Sequence, residues 1–372
     1  MVPNELEIML LRFFHIVPAL VFTLLCTTLQ SQNLVQNGGF EDYLHCPDKM
    51  SNLNKDAKYW SAPSLGTTDY FNECSKTKLG IPMNFKGKQE AFEGSAYAGL
   101  YLFAPDDYRE YIQVSLKETL EKGHRYRLML YISLAEKSDG AVRDFGSVFS
   151  EKPLSIHTKR QLSHASLSSQ SVQTTHMKQF PENGFHDNKE KWMQLSLDIV
   201  AKGFENYLIL GNFMSNAATR YMDFKDASPR TEGYSYYYID DISLTYLGPE
   251  YKPNEVYVLD HVNFNFDKFD LQPKAKQSLQ DVYDYLKKNP NLKVAISGHT
   301  DDLGSDEYND VLSKERAGSV ARYLIKLGLE KNRITSKGYG DKVPLDSAQT
   351  DQARRKNRRV EFVMTEFEDD NE

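Results

Sequence analysis

What this 372-residue chain lacks narrows its role before any motif is read. It has no large basic block: 52 acidic residues stand against 45 basic ones, for a net charge of -7. A nucleic-acid partner therefore has no electrostatic footprint. Ten-residue lipid-facing strands with aromatic girdles are not evident, so no membrane barrel is expected. His157, His164 and His176 lack metal-ligand spacing, and His299 has no nucleophile motif beside it. No pattern singles out the pair of carboxylates that a glycosidase needs. The expectation is a protein that is not an enzyme and requires no cofactor. Cysteine is scarce, at three residues.

The N-terminus carries an apolar stretch, Phe13 to Leu29, preceded by Arg12 and followed by Gln30, Ser31 and Gln32. It is short for a bilayer span and reads as a secretory signal peptide over residues 1–31. Glu5 and Glu7 fit poorly in a region that should be positive, and a start at Met9 repairs the pattern. Cys26 follows Leu25 rather than a small residue, which favours cleavage near Ser31 over lipidation; an uncleaved anchor is the alternative. The stretch holds no carboxylate, which argues against a flagellar stator role. Export leaves Cys46 and Cys74 in a compartment where disulfides persist. A bridge between them closes a loop of about 29 residues and contributes roughly 3 to 4 kcal/mol in the loop-entropy view; two buried thiols are the other reading.

The remaining chain, 40% apolar, suffices for two domains. Residues 32–247 alternate with period two in YIQVSL, YRLMLYISL, WMQLSLDIV, NYLILGNF and YYYIDDISLTYL, the pattern of an antiparallel β-sandwich. Ser155 to Asp187 has little periodicity and reads as a long surface loop or insertion. In the run Tyr236, Tyr237, Tyr238, alternation sends at least one set to the core, and Trp60 and Trp192 read as packing residues. Two prolines and a glycine in 248–255 mark a linker. Beyond it the order is strand (Val258 to Phe266), helix (Pro273 to Lys288), strand (Leu292 to Ser297), helix (Ser305 to Leu327), strand (Arg333 to Lys337), strand (Asn357 to Thr365). That order implies an α+β domain with two helices on one face of a mixed sheet. Pro273 suits a first turn, and Ala275, Leu279, Val282 and Leu286 repeat at helical spacing. Ser305 is a cap, Gly328 a stop, and Leu312, Val320, Leu324 and Leu327 are expected to face inward. An acidic tail, 367–372, closes the chain.

Gly298 to Val320 reads GHTDDLGSDEYNDVLSKERAGSV. Asp301 follows a strand, and Asn309 and Arg316, seven apart, share a helix face. An acid, an amide and a guanidinium on one surface suit a zwitterion: the carboxylate accepts from an ammonium and the guanidinium forks onto a carboxylate. The diaminopimelate of a peptidoglycan stem peptide has both groups on one carbon. The bland alternative has Asp301 capping turn amides and Arg316 exposed, paired with Glu315 or Asp302.

The segments HVNFNFDKFDLQP, GHTDDLGSDEYNDVLSKERAGSVARYLIKLGL, RITSKGYGDKVP and ARRKNRRVEF resemble, in this order, the OmpA-like peptidoglycan-binding family over 256–366. The resemblance implies that Asp301 accepts the ligand ammonium, Arg316 holds its carboxylate, Asn309 adds a polar contact and Arg358 lines the pocket. It departs at Ala353, where the family usually has glycine. NLVQNGGFEDY and YYYIDDISL resemble the first and last strands of jelly-roll modules related to carbohydrate-binding modules, so the first domain is expected to be a jelly-roll sandwich. In those modules a glutamate and an aspartate at positions matching Glu41 and Asp241 hold a structural calcium; turn hydrogen bonds are the alternative for both acids. The whole is expected to be an exported protein of the periplasm, tied to the outer membrane and cell wall. Its partner is peptidoglycan, with a glycan or envelope protein on the first domain. The rivals are a wall-targeted glycan hydrolase and an outer-membrane adhesin or complex subunit.

Overall fold

A computed structural model of the chain describes residues 32–181, 184–224, 233–259 and 273–367. The predicted signal peptide, Cys26, most of the acidic tail and most of the expected strand up to Phe266 lie outside them. The first part contains the short helices α1 (Leu53–Asp56) and α2 (His164–Ser168). Its strands are β1 (Trp60–Ser61), β2 (Asp69–Asn72), β3 (Met83–Asn84), β4 (Gly87–Lys88), β5 (Ala96–Phe103), β6 (Tyr111–Ser115) and β7 (His124–Leu134). They continue with β8 (Gly140–Val142), β9 (Gly146–Ser150), β10 (Lys178–Gln179), β11 (Met193–Val200), β12 (Tyr207–Gly211), β13 (Tyr221–Asp223) and β14 (Ser235–Pro249).

Two five-stranded antiparallel sheets result, ordered β1-β6-β12-β9-β10 and β11-β7-β14-β5-β2. Alternation explains their packing. Leu128, Leu130, Ile132 and Leu134 of β7 point to one side and meet Ile112, Val114, Leu208 and Leu210 of the other sheet in a shared core. The ends of this part meet: the backbone N–H of Leu34 donates to Leu244 O, and that of Ile242 to Gly38 O, both at 2.9 Å.

The tyrosine run is buried on both faces. Tyr237 sits in the core between the sheets, while Tyr236 and Tyr238 lie under a second cluster with Phe71, Leu79 and Tyr97. The segment 155–187 also differs from a plain surface loop. Leu154, Ile156, Leu162 and Leu167 pack on Val148 and Ile209, covering the outer face of the first sheet. Few apolar residues at irregular spacing suffice for a lid, and periodicity does not register them.

The second part holds β15 (Val256–Val258), α3 (Pro273–Lys288), β16 (Leu292–Gly298), α4 (Asp306–Leu327), β17 (Ile334–Gly338), α5 (Asp351–Asn357) and β18 (Val360–Glu366). Its described strands are ordered β15-β18-β16-β17, with β16 and β17 parallel and the other pairs antiparallel, so the sheet is mixed as expected. Ala275, Leu279, Val282 and Leu286 are all buried against Val294, Ile296, Phe362 and Met364. Burying each larger aliphatic side chain contributes about 1.5–3 kcal/mol. The buried seam of α4 runs through Ser313, Ala317, Val320 and Leu324, leaving Leu312 and Leu327 half-buried. The helix α5 is additional to the expected order.

The linker 248–255 is not loose. β14 extends to Pro249, the Tyr246 hydroxyl reaches Asp281 Oδ2 of α3 at 3.2 Å, and Tyr251 is buried against Tyr257, Tyr285 and Phe362.

Candidate functional site

The site is built where β16 ends. Ser305 caps α4, its hydroxyl accepting the Tyr308 N–H at 3.3 Å, and Asp306 and Glu307 occupy the first turn, where the helix dipole favours acids. Gly328, with φ of 114°, ends the helix. Two glycines set how closely α4 lies on the sheet. A Cβ on Gly298 would stand 2.1 Å from Ser313 O, and one on Gly338 would stand 2.4 Å from Lys314 N. The close approach lets Ser313 Oγ accept the Gly340 N–H at 2.9 Å. It also brings the Asn309 and Arg316 face of the helix to the loops that leave β16 and β17.

Asp301 is 7% exposed. Its Oδ2 accepts from Arg358 Nη1 at 2.6 Å, and its Oδ1 from the Leu303 N–H at 3.3 Å. Asn309, buried, donates from Nδ2 to the Asp301 carbonyl at 3.4 Å. Arg316 is only 3% exposed. Burial lowers its pKa; the charge of Asp301 pulls the other way, and Arg358 adds to the lowering. The other three sequence-predicted residues therefore meet at Asp301, Arg358 and Arg316 through its carboxylate charge and Asn309 through its backbone carbonyl, with Arg358 half exposed at the rim.

The bland alternative for Arg316 meets a different arrangement. Glu315 lies 3.4 Å from Arg322, and Asp302 accepts from Arg354 Nε at 2.7 Å and Nη2 at 3.2 Å. Arg358 precedes β18 at the end of α5 rather than sitting within the strand, and it reaches Asp301 directly. Several positioning residues escaped the sequence reading. Thr350 caps α5 by accepting the Ala353 N–H, and Ala353 is fully buried. Asn357 Oδ1 accepts the N–H groups of Leu345 and Asp346, fixing the preceding loop. Arg359 is buried against Glu361 at 2.6 Å, and His299 Nε2 stands 3.4 Å from the same acid, its pKa lowered by burial and by Arg359. The Thr350-Asp351 pair was a legible cap signal for α5.

In the first part, Cys46 and Cys74 are joined, with Cα atoms 5.9 Å apart. Glu41 accepts from the Ser95 N–H and hydroxyl, both at 2.8 Å. Asp241 has φ of 45°, and its N–H donates to Asp240, a fully buried acid that also accepts the Phe92 N–H at 2.9 Å. Among the described residues no group of three or more His, Cys, Asp and Glu side chains is placed to hold a metal ion. Trp60 is buried, and Trp192 donates from Nε1 to Glu90 O at 3.0 Å. No described helix is long and apolar enough to cross a membrane.

Residues 263–358 match the OmpA family. Over 100 residues the chain is 39% identical to an outer membrane porin F of Pseudomonas fluorescens, covering 27% of this chain and 31% of that protein. It is 37% identical over 100 residues to a peptidoglycan-associated lipoprotein of Legionella pneumophila, covering 27% of this chain and 57% of that one. The chain thus spans well under two thirds of these relatives. The crystal structure of the peptidoglycan-associated lipoprotein from Burkholderia pseudomallei aligns at 31% identity with a TM-score of 0.27, over 27% of this chain and 86% of the other.

Proposed function

Because residues 263–358 are an OmpA family domain, we propose that this part of the chain binds peptidoglycan without covalent bonds and anchors the β-sandwich before it to the cell wall at the outer membrane. The ligand group is the amino acid end of the diaminopimelate side chain in a stem peptide. Asp301 accepts from its ammonium, Arg316 forks onto its carboxylate, Asn309 orients the loop beneath it, and Arg358 holds Asp301 in place while contributing to the rim.

The observation that supports this reading most is the gathering of one buried acid and two guanidinium groups around the loop that leaves β16. A carboxylate has room for about four hydrogen bonds. Arg358 and the Leu303 amide account for two on Asp301, leaving capacity for an incoming ammonium. A ligand carboxylate beside Arg316 would offset the burial that disfavours its charge. Each contact contributes about 1.5–3 kcal/mol at most, so a single stem peptide binds weakly and the polymer supplies the hold through many copies. The sandwich, read as a jelly-roll module exported to the periplasm, is the cargo of this anchor. The role is binding, with no chemistry at the site.

The test is co-sedimentation of the full chain with purified sacculi, in competition with free meso-diaminopimelate. Asp301→Ala is expected to leave the supernatant fraction unchanged by sacculi while the melting temperature stays within a few degrees. Undiminished pelleting of a folded Asp301→Ala protein overturns the assignment.

A further inference from the structure

The first part contains a cavity of about 120 Å³ bounded by β9, β10 and β11, strands from both sheets, and by the turn after β11. Alternation along β9 sets its floor. Val148 points outward into the cluster under the lid, so Ser147 and Phe149 point inward, between the sheets. Ile199 of β11 closes the opposite wall, and Val200, at the strand end, is exposed beside the mouth. Ser147 is only 1% exposed, and its hydroxyl has no hydrogen-bond partner among the described residues. A buried hydroxyl in that state is unfavourable unless something that reaches the site accepts from it.

The mouth is cationic. Lys178 lies directly opposite Ser147 in the β9–β10 ladder, so the two side chains leave the same face of the sheet. Lys202 and His176 border the same opening. The acids nearby are already engaged. Glu205, buried, accepts the N–H groups of Lys202, Gly203 and Phe204 at 2.7–3.0 Å, and Asp198 is gripped by Arg127 at 2.7 and 2.9 Å. The walls are apolar and the entrance carries ammonium groups.

We propose that this cavity is a ligand site for a small anionic amphiphile: a carboxylate with a short apolar body, small enough for a cavity of about 120 Å³. The body lies on Phe149, Ile199 and Val200. The carboxylate accepts from the Ser147 hydroxyl and pairs with Lys178, with Lys202 adding attraction at longer range. The assignment is independent of the wall-binding reading, since it uses no residue beyond Lys202.

The test is titration of the full chain, followed by ligand-observed NMR, with hexanoate, hexanol and hexylamine, which share one apolar body and differ in head charge. Hexanoate is expected to bind saturably and about threefold to fivefold more tightly than hexanol, the scale of partly exposed charge pairs, with hexylamine weakest. Lys178→Glu is expected to erase or invert that order without lowering the melting temperature. Val200→Trp, at an exposed position, is expected to abolish binding of all three by blocking the mouth. Equal affinities for hexanoate and hexanol, or an order untouched by Lys178→Glu, would overturn the proposal and leave Lys178 as an inward-pointing charge that guards an edge strand. Absence of saturable binding by any of the three overturns the site itself.

Discussion

Replacing Arg316 by methionine separates the two roles that a buried guanidinium can have. The side chain is 3% exposed, and burial outweighs the attraction of Asp301, so the charged form is disfavoured where it sits. A methionine of similar length occupies the same buried position without that charge. Removing one partner of a buried charge pair is costly when it strands the other charge, but Asp301 keeps its bond from Arg358, so the stability change is expected to stay within about 1 kcal/mol. The ligand contact is different. Loss of a forked, charge-assisted contact costs about 1.5–3 kcal/mol, which is roughly tenfold to a hundredfold in affinity. Arg316→Met should therefore melt within a few degrees of the parent while its binding to sacculi drops by one to two orders of magnitude. Arg316→Lys should fall between, because an ammonium cannot make two parallel bonds. Calorimetric melting and a sacculus binding isotherm on the same preparations decide the matter. A variant that binds within twofold of the parent, or that loses more than about 2 kcal/mol of stability, refutes the reasoning.

Two further outcomes follow from the sandwich. Glu110 is fully buried, and burial pushes its pKa up to about 7, against the bonds from the Tyr108 hydroxyl and the Tyr101 N–H. Between the usual 4.5 and about 7 the unfolded chain releases this proton while the folded chain keeps it, so stability falls as pH rises through that window, by about 3 kcal/mol in all. Glu110→Gln should flatten this slope in denaturant titrations from pH 4 to 8; an unchanged slope would assign it to other groups. Reduction of Cys46–Cys74, which spans 28 residues, should lower stability by about 3 kcal/mol. Equal denaturation midpoints with and without reductant would contradict that figure.

Legibility in the sequence followed how local the physics is. The Ser305 cap, the Gly328 stop and the apolar stripe of α3 depend on neighbours within a turn or two, and the structure has them where the pattern indicates. The seven-residue spacing of Asn309 and Arg316 likewise fixes a shared face. The direct bond between Asp301 and Arg358 joins residues 57 apart, and spacing alone does not report it. α5 has no apolar period, with only Ala353 and Asn357 buried, so its helix rests on a cap and on contacts to other segments. The packing within 155–187 and 248–255 is hidden for the same reason: a few residues such as Leu162 and Tyr251 are buried by distant partners.

β14 is the middle strand of its sheet, bonded to β7 on one side and β5 on the other, and the same strand continues to Pro249 beside α3. A pull on the chain beyond Pro249 is thus delivered along the axis of an interior strand. The ladder to β7 flanks β14 from Tyr237 to Pro249 and that to β5 from Ser235 to Ile239, so where both are present they resist in parallel, sliding together instead of peeling one after another from a free edge. The join between the two parts is thereby made of the sandwich's own centre, so tension at one end has to shear that centre before the sandwich yields.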